Sequence, residues 1–379
     1  MSPDELPREW DVVVVGAGVA GAVSALHLAR SGLRVLLVEK SPWPREKVCG
    51  GCLNAAAMHA LADAGIELDD GLEYAGMRLA CGGRIAEFPL PEGLAISRKR
   101  LDAVLVEHAI RAGACFVPET RASLGAAAQH GSKVVLKSRA KSSVIDARVV
   151  LDCGGLASRV LPGIGWQVAP RARIGVGASF RVARAWYRAG VIHMACAANG
   201  YVGLVHAEDG VANIAAALDP EWCGEVGGPV RAIAEILDSA GFPAIERLRD
   251  VHWQGTPHLT RARFALGAER VLILGDAAGY VEPFTGEGMA WAIADAAAAT
   301  PLVREAAAGW NDGIVARWSA LHARNLRTRQ RVCRGLSRAM RRPRLLGAAL
   351  PVMNALPAAV APISAWLNRD FRLPTVVRM

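Results

Sequence analysis

The sequence predicts an α/β protein: a doubly wound parallel sheet, an antiparallel sheet beside it and a helical C-terminal segment. Three observations carry this expectation. A β-branched strand, a glycine-rich turn, a helix and a second strand follow one another between Asp11 and Glu39, and such a βαβ unit implies parallel pairing. Short apolar runs of the same kind return at Ala147–Asp152 and Val271–Asp276. Between them the chain turns β-rich, with Asn199-Gly200 and Asp209-Gly210 as hairpin signals, which is the pattern of an antiparallel sheet.

Each element has a local reason. Asp11–Val15 is a β-branched run that leads straight into Gly16-Ala-Gly18-Val-Ala20-Gly21. From Ala22 to Arg30, Val23, Leu26 and Ala29 recur at helical spacing, and Gly32 can stop that helix. Leu33–Val38 is a second apolar strand, closed by Glu39. Arg100–Gly113 reads as an amphipathic helix through Leu101, Val104, Leu105, His108 and Ile110. Ile174–Arg181, Val191–Ala197, Tyr201–His206 and Val211–Leu218 are the antiparallel candidates. An Ala-rich helix is expected from Gly286 to about Ala299.

Composition narrows the class. With 379 residues, 52% hydrophobic and 21% charged, the chain is neither disordered nor collagen-like, and it is long enough for a large core. The formal charge of +9 suggests a nucleic-acid binder. Yet Leu321–Leu346 alone carries nine arginines and no acid, so the rest of the chain is neutral and no nucleic-acid partner is expected. Eight cysteines are too dilute for a disulfide framework. Met1–Trp10 has no apolar stretch after a basic start and is not read as a signal peptide, so a cytoplasmic setting is the expectation.

The glycines of the first turn have separate tasks. Gly16 permits the tight turn, Gly18 lets backbone approach a pyrophosphate, and Gly21 lets helix and strand pack closely. The helix N-terminus faces the phosphates, and Glu39 is placed to accept hydrogen bonds from ribose hydroxyls. A distant block, Gly275-Asp276-Ala-Ala-Gly279 through Gly286-Glu-Gly288-Met289, follows the apolar run that begins at Val271. Its acid can meet a ribityl hydroxyl, and its helix start can stabilise negative charge on a reduced flavin.

Together the two glycine blocks resemble the Rossmann-like FAD-binding fold of the para-hydroxybenzoate hydroxylase superfamily. Lys47-Val-Cys49-Gly50-Gly51 resembles the Lys-x-Cys-Gly-Gly motif of its geranylgeranyl reductase family, and Ser97-Arg98 with Leu101 resembles the family's arginine segment that approaches FAD. The resemblance implies FAD contacts at Gly16, Gly18, Ala20, Gly21, Glu39, Lys40, Lys47, Cys49, Gly50, Gly51, Arg98, Gly275, Asp276, Gly286, Gly288 and Met289. Asp152 falls in an irregular version of a third superfamily segment and is given no contact. The implied division is 1–75, 96–165 and 265–300 for the FAD-binding parts, 76–95 and 166–264 for the substrate sheet, and 301–379 for the helical segment.

Departures from the family bear on the reaction. The reductases' Tyr-x-Trp-x-Phe motif reads Tyr201-Val-Gly203-Leu-Val205 here, and the Trp-x-Trp-x-Ile-Pro motif of flavin halogenases is absent around Trp166. The resemblance therefore implies an FAD-dependent oxidoreductase with NAD(P)H as a transient electron donor. It inclines to hydroxylation through a flavin hydroperoxide, with reduction of carbon–carbon double bonds as the alternative. A non-catalytic electron carrier or scaffold is the reading from another class. The expected substrate is a lipophilic small molecule of aromatic polyketide or isoprenoid type, in a slot lined by Ile174, Val176, Phe180, Met194, Tyr201 and Leu204.

Other candidates are weaker. Cys49 and Cys52 have the spacing of a redox dithiol or half a zinc site, but no second pair or spaced histidine accompanies them, so no metal is expected. Cys49 and His206 are the catalytic candidates, and a structural role competes for His206. Glu282 and Glu287 flank the second helix start, where a carboxylate suits the dipole. Leu345–Leu367 is uncharged for 23 residues, long enough to span a bilayer. Pro351, Pro357, Pro362 and Asn354 break a straight span. A packed cap and a peripheral membrane contact through residues 321–367 both remain open.

Overall fold

The computed structural model describes residues 5–371 apart from 129–130, 140, 162, 182–185, 247 and 283. Pro283 of the second glycine block and the last eight residues of the 301–379 segment lie outside the described residues. In chain order, β1 (Glu9–Val15), α1 (Val19–Arg30) and β2 (Val35–Val38) form the first unit. A short β3 (Cys52–Leu53) and α2 (Ala55–Asp63) lead to a long hairpin, β4 (Leu72–Cys81) and β5 (Arg84–Ala95). Next come α3 (Arg98–Arg111), β6 (Cys115–Val117), β7 (Arg121–Ala128), β8 (Gly131–Lys137), β9 (Ser142–Asp152) and β10 (Trp166–Val168). The middle region holds β11 (Ile174–Arg181), β12 (Val191–Ala197), β13 (Gly200–His206) and β14 (Val211–Leu218). It continues through α4 (Pro220–Glu225), α5 (Pro229–Ser239), β15 (Gln254–His258) and β16 (Arg261–Arg263). The chain ends with β17 (Gly267–Ala268), β18 (Val271–Ile273), β19 (Gly279–Tyr280), α6 (Gly288–Ala308), α7 (Gly313–Met340), α8 (Pro343–Ala355) and α9 (Ala361–Leu367).

The first sheet runs β17-β18-β9-β1-β2-β6, with β8 and β7 attached beyond β9. β1 pairs in parallel with β2 and β9, in the register Val12↔Val35 and Val12↔Val149. Its valines 12, 13 and 14 are wholly buried, as a strand covered on both faces requires. One face packs on α1, α3 and α6 through Val12, Val14, Leu26, Leu101 and Ile293, and the other through Val13, Leu36, Val150 and Val271.

The second sheet runs β15-β11-β14-β13-β12-β4-β5-β3. It is antiparallel as expected except where β12 meets β4 in parallel, at Val191↔Gly76. The 72–95 hairpin thus joins the middle region in one sheet. Its back is closed by α5, whose Ile233, Ile236 and Leu237 meet Val176, Leu204, Ile214 and Leu218. Its front faces the first sheet and the C-terminal helices.

α6 runs through Pro301 to Ala308, past the expected end near Ala299. α7 buries Ile314, Trp318, Leu326, Cys333 and Met340 along one side, and Trp318 Nε1 donates to the Ile273 carbonyl at 3.0 Å. α8 seats Leu346 and Leu350 against Leu79, Ala86 and Phe88 of the hairpin. Arg84 Nη1 donates to the Gly347 carbonyl at 2.8 Å, and the Glu87 amide donates to Asn354 Oδ1 at 3.3 Å. Among the described residues no helix is long and apolar enough to cross a membrane, so the spanning reading of 345–367 is set aside. The prolines decide this: Pro357 and Pro362 begin new turns after α8 ends at Ala355.

Candidate active site

The first turn is built by steric necessity. Gly16 has φ +103°, and a Cβ there would lie 2.5 Å from the Cys153 carbonyl oxygen. A Cβ on Gly21 would lie 1.9 Å from the Gly16 oxygen, so α1 can approach β1 only without a side chain there. Gly18 caps α1 and opens outward, where a Cβ would meet Arg98 Nη2 at 3.4 Å, Arg45 Nη2 at 3.5 Å and Lys47 Nζ at 3.9 Å. Three cations, two from the 45–51 loop and one from α3, therefore converge on one helix N-terminus. That donor set suits the two negative charges of a pyrophosphate.

Buried carboxylates hold these cations in place. Asp102, fully buried on α3, accepts from Arg98 Nε at 3.0 Å, Arg98 Nη2 at 2.9 Å and Arg45 Nη1 at 2.9 Å. Burial alone would lower the Arg98 pKa, but Asp102, Cys49 and Asp276 together outweigh it and the net shift is upward. Glu39 ends β2 and is 4% exposed; Oε2 accepts from the Ala17 amide at 3.1 Å and Oε1 from the Ser41 amide at 3.0 Å. Burial pushes its pKa up, and Arg45, with Nε 3.2 Å away, joins the two amides in pulling it below the ordinary carboxylate value. An ionised acid here suits ribose hydroxyls. Sequence reasoning gave no contact to Arg45, two residues before Lys47, and it missed Asp102, whose four-residue spacing from Arg98 was the available signal.

The second block closes over the first. Gly275 has φ +60°, and a Cβ there would lie 2.7 Å from the Ala20 Cβ, so the two glycine motifs touch at small residues. Lys47 Nζ reaches Asp276 Oδ2 at 3.3 Å, tying the 45–51 loop to the end of β18. Gly51 has φ +74°, with its absent Cβ 2.3 Å from Asn213 Nδ2, where the loop crosses the second sheet. The Gly51 amide donates to Cys49 Sγ at 3.4 Å, and all eight cysteines are free thiols. Burial, reinforced by Cys49, raises the Cys52 thiol, which makes it a poor thiolate. Among the described residues no group of three or more His, Cys, Asp or Glu could hold a metal. Asp152 is fully buried and occupied with the Ser158 hydroxyl and the Gly154 amide.

One cavity of about 890 Å³ joins these parts. Gly16, Gly18, Ala20, Glu39, Lys40, Lys47, Cys49, Gly50, Gly51, Arg98, Asp276, Gly286, Gly288 and Met289 all line it, whereas Gly21 and Gly275 act behind the wall through packing. Beyond Cys49 and Gly288 the walls turn apolar: Met77, Leu79, Phe88, Ile192 and Met194 from the second sheet, Phe284, and Met340, Leu346 and Met353 from the C-terminal helices. Tyr201 lines this part and stacks edge-on with Phe284 at 5.3 Å. Its buried hydroxyl has no hydrogen-bond partner among the described residues, and burial keeps its pKa well above the ordinary phenol value.

Placement of the expected substrate residues follows strand parity. Met194 and Tyr201 face the cavity, while Leu204 borders it and packs in the core under α5. Phe180 does not line it; with Ile174 and Val176 it lies on the α5 side of β11, and Gly175 faces forward instead. His206 is also behind the sheet, fully buried, with Nε2 2.8 Å from the Tyr187 carbonyl, and it does not touch the cavity.

Comparison with known proteins agrees with this geometry. Residues 9–214 match the family model described as FAD binding domain. The chain is 30% identical over 320 residues to menaquinone reductase of Mycolicibacterium smegmatis, covering 74% of this chain and 72% of that one. It is 26% identical over 364 residues to digeranylgeranylglycerophospholipid reductase 2 of Methanothermobacter thermautotrophicus, covering 89% and 88%. Among solved structures, a triple mutant of the flavin-dependent brominase Bmp2 superposes with TM-score 0.80 at 16% identity, over 95% of this chain and 94% of that one. Pseudomonas aeruginosa PqsL with 2-aminobenzoylacetate superposes with TM-score 0.70 at 19% identity, over 90% and 99%; at such identities the likeness is one of fold. A glycine turn under three cations, an ionised acid at the end of β2 and a family match over more than half its length place this chain in the FAD binding domain family, as an FAD-dependent oxidoreductase.

Proposed function

We propose that this flavoprotein reduces a carbon–carbon double bond in a lipophilic small molecule of isoprenoid type, with NAD(P)H as a transient donor. The observation that carries the reading is the continuity of the cavity, from the Gly18 cradle into a long apolar chamber. The sequence inclined to hydroxylation because the reductases' aromatic motif is missing. Two relatives aligned over most of their length are named as reductases, one of menaquinone and one of digeranylgeranylglycerophospholipid, and that tips the balance towards reduction.

When bound, FAD supplies the electron pair as a hydride. The chain's residues do the rest. Arg98, Arg45 and Lys47 would neutralise the pyrophosphate, and the Gly286–Gly288 backbone at the start of α6 would stabilise the charge that the flavin gains on reduction. Apolar side chains from β4, β12 and α8 keep water out of the chamber. Tyr201 Oη, held protonated by burial, is a hydrogen-bond donor left for an oxygen of the substrate. NAD(P)H would dock without its own domain, since the sequence has one G-x-G-x-x-G strand–turn–helix unit.

The test is turnover with prenylated quinones and prenylated glycerolipids under strictly anaerobic conditions. A product heavier by two hydrogens, formed without oxygen and still so after mild reoxidation that returns any quinol to quinone, supports double-bond reduction. A product carrying one added oxygen, formed only with oxygen uptake, overturns it in favour of hydroxylation.

A further inference from the structure

The outer face of α8 and α9 is apolar and open. Of nine large hydrophobic side chains exposed among the described residues, four lie here: Leu345, Val352, Leu356 and Ile363, 50–61% exposed. Between them Ala348, Ala349, Ala355, Ala361 and Ala365 are also exposed, and no residue from Leu345 to Leu367 carries a charge. A patch this continuous on a protein surface marks a partner.

The same helices form a wall of the cavity. Met353, Ile363, Ser364 and Leu367 line it, and Ile363 is half exposed as well. The apolar chamber and the apolar exterior are therefore separated by one helix.

Charge decides what sits on the face. Gly313–Arg369 contains eleven arginines and no acid. Arg338, Arg342 and Arg344, at the junction of α7 and α8, are exposed and have no acidic partner among the described residues. A symmetric pairing of two copies through this face would bring these like charges together. An anionic lipid surface complements them instead.

We propose that α8 and α9 seat the protein on an anionic bilayer, with the cavity opening through Ile363 into the acyl region. The helices lie along the surface, as their length and prolines require. The cargo rests on the lipophilic-substrate reading above; the seating does not.

Flotation of the flavin-loaded protein with phosphatidylcholine vesicles, with and without phosphatidylglycerol, tests the seating without turnover. Wild type should float with anionic vesicles, less with neutral ones, and less again in high salt. A Leu345→Asp/Val352→Asp/Leu356→Asp variant alters exposed side chains that do not line the cavity, so it should retain bound FAD. Its partition should fall by about tenfold or more, as expected when three apolar side chains no longer enter lipid. Absence of wild-type flotation, equal flotation by the variant, or indifference to vesicle charge each overturns the proposal. So does sedimentation showing a dimer that the variant dissolves, because a second copy would then cover the face.

Discussion

Arg329→Met should be among the most damaging single substitutions outside the glycine turns. Arg329 is 8% exposed on α7, and its Nη1 donates to Glu287 Oε1 at 2.6 Å and to the Leu367 carbonyl at 2.9 Å. Its Nη2 donates to the Arg369 carbonyl, and its guanidinium lies 4.2 Å over the Phe371 ring. Glu287, 1% exposed, stands one residue before α6, between Gly286 and Gly288 of the cavity wall. After the substitution its carboxylate keeps a thiol donor, Cys333 Sγ at 3.1 Å, and a distant hydroxyl, Thr285 Oγ1 at 3.5 Å. Neither replaces a cation, so the cost should fall in the range of about 3–5 kcal/mol for breaking a buried ion pair. With an unfolding entropy of about 2.1 cal/mol/K per residue, a chain this long loses about 4–6 °C in Tm. Calorimetry and the release of bound flavin on heating measure it. Arg329→Met/Glu287→Gln should be more stable than Arg329→Met alone, because the unpaired charge is gone. A single variant within about 1 °C of wild type, or a double variant worse than the single, would refute the reasoning.

The other predictions separate packing from binding and titration from turnover. Gly21→Ala places a Cβ 1.9 Å from the Gly16 oxygen and should prevent folding, seen as insoluble protein. Gly18→Val meets only flexible side-chain ends at 3.4 Å or more, so it should fold, with an ordinary far-ultraviolet dichroism spectrum, yet purify without yellow colour; full flavin content would remove Gly18 from the binding site. His322 Nδ1 lies 3.0 Å from Asp295 Oδ1, and although burial opposes it the pairing raises the His322 pKa above 6.5. A raised folded value means the stabilisation is complete below pH 6.5 and is lost as pH climbs through the folded pKa. The stability gap between wild type and His322→Gln should therefore shrink from pH 6 towards alkaline pH in denaturant titrations; a gap that widens contradicts the pairing. Tyr201→Phe removes a hydroxyl that has no protein partner, so unfolding should shift by less than about 1 kcal/mol while kcat/KM drops about tenfold. Unchanged kcat/KM would end its proposed role towards substrate.

By itself, the sequence determined the elements whose cause is local. The β1–α1–β2 unit, the parallel strand β18 and all four middle strands lie within a few residues of where valine runs, glycines and Asn-Gly or Asp-Gly turns put them. The FAD-binding reading was legible because Gly16, Gly18 and Gly21 fall in one short motif, although only Gly21 answers to a contact within the turn and Gly16 and Gly18 answer to Cys153 and to Arg98, Arg45 and Lys47. Only the tertiary structure decided which face of each middle strand meets the cavity. One residue of parity sends Phe180 behind the sheet and Met194 in front of it, and neighbouring strands, not local composition, set that parity. The convergence of Arg45, Lys47 and Arg98 on Gly18, the Arg45 half of the Asp102 clamp and the Arg329–Glu287 pair join segments up to 80 residues apart, so no spacing rule could reveal them; only the Arg98–Asp102 half had a local signal. The C-terminal tail shows both sides: its lack of charge was plain in the sequence, but an apolar run reads alike whether it packs or faces outward. Burial of Leu346 and Leu350 beside exposure of Leu345 and Val352 is a property of the sheet beneath them.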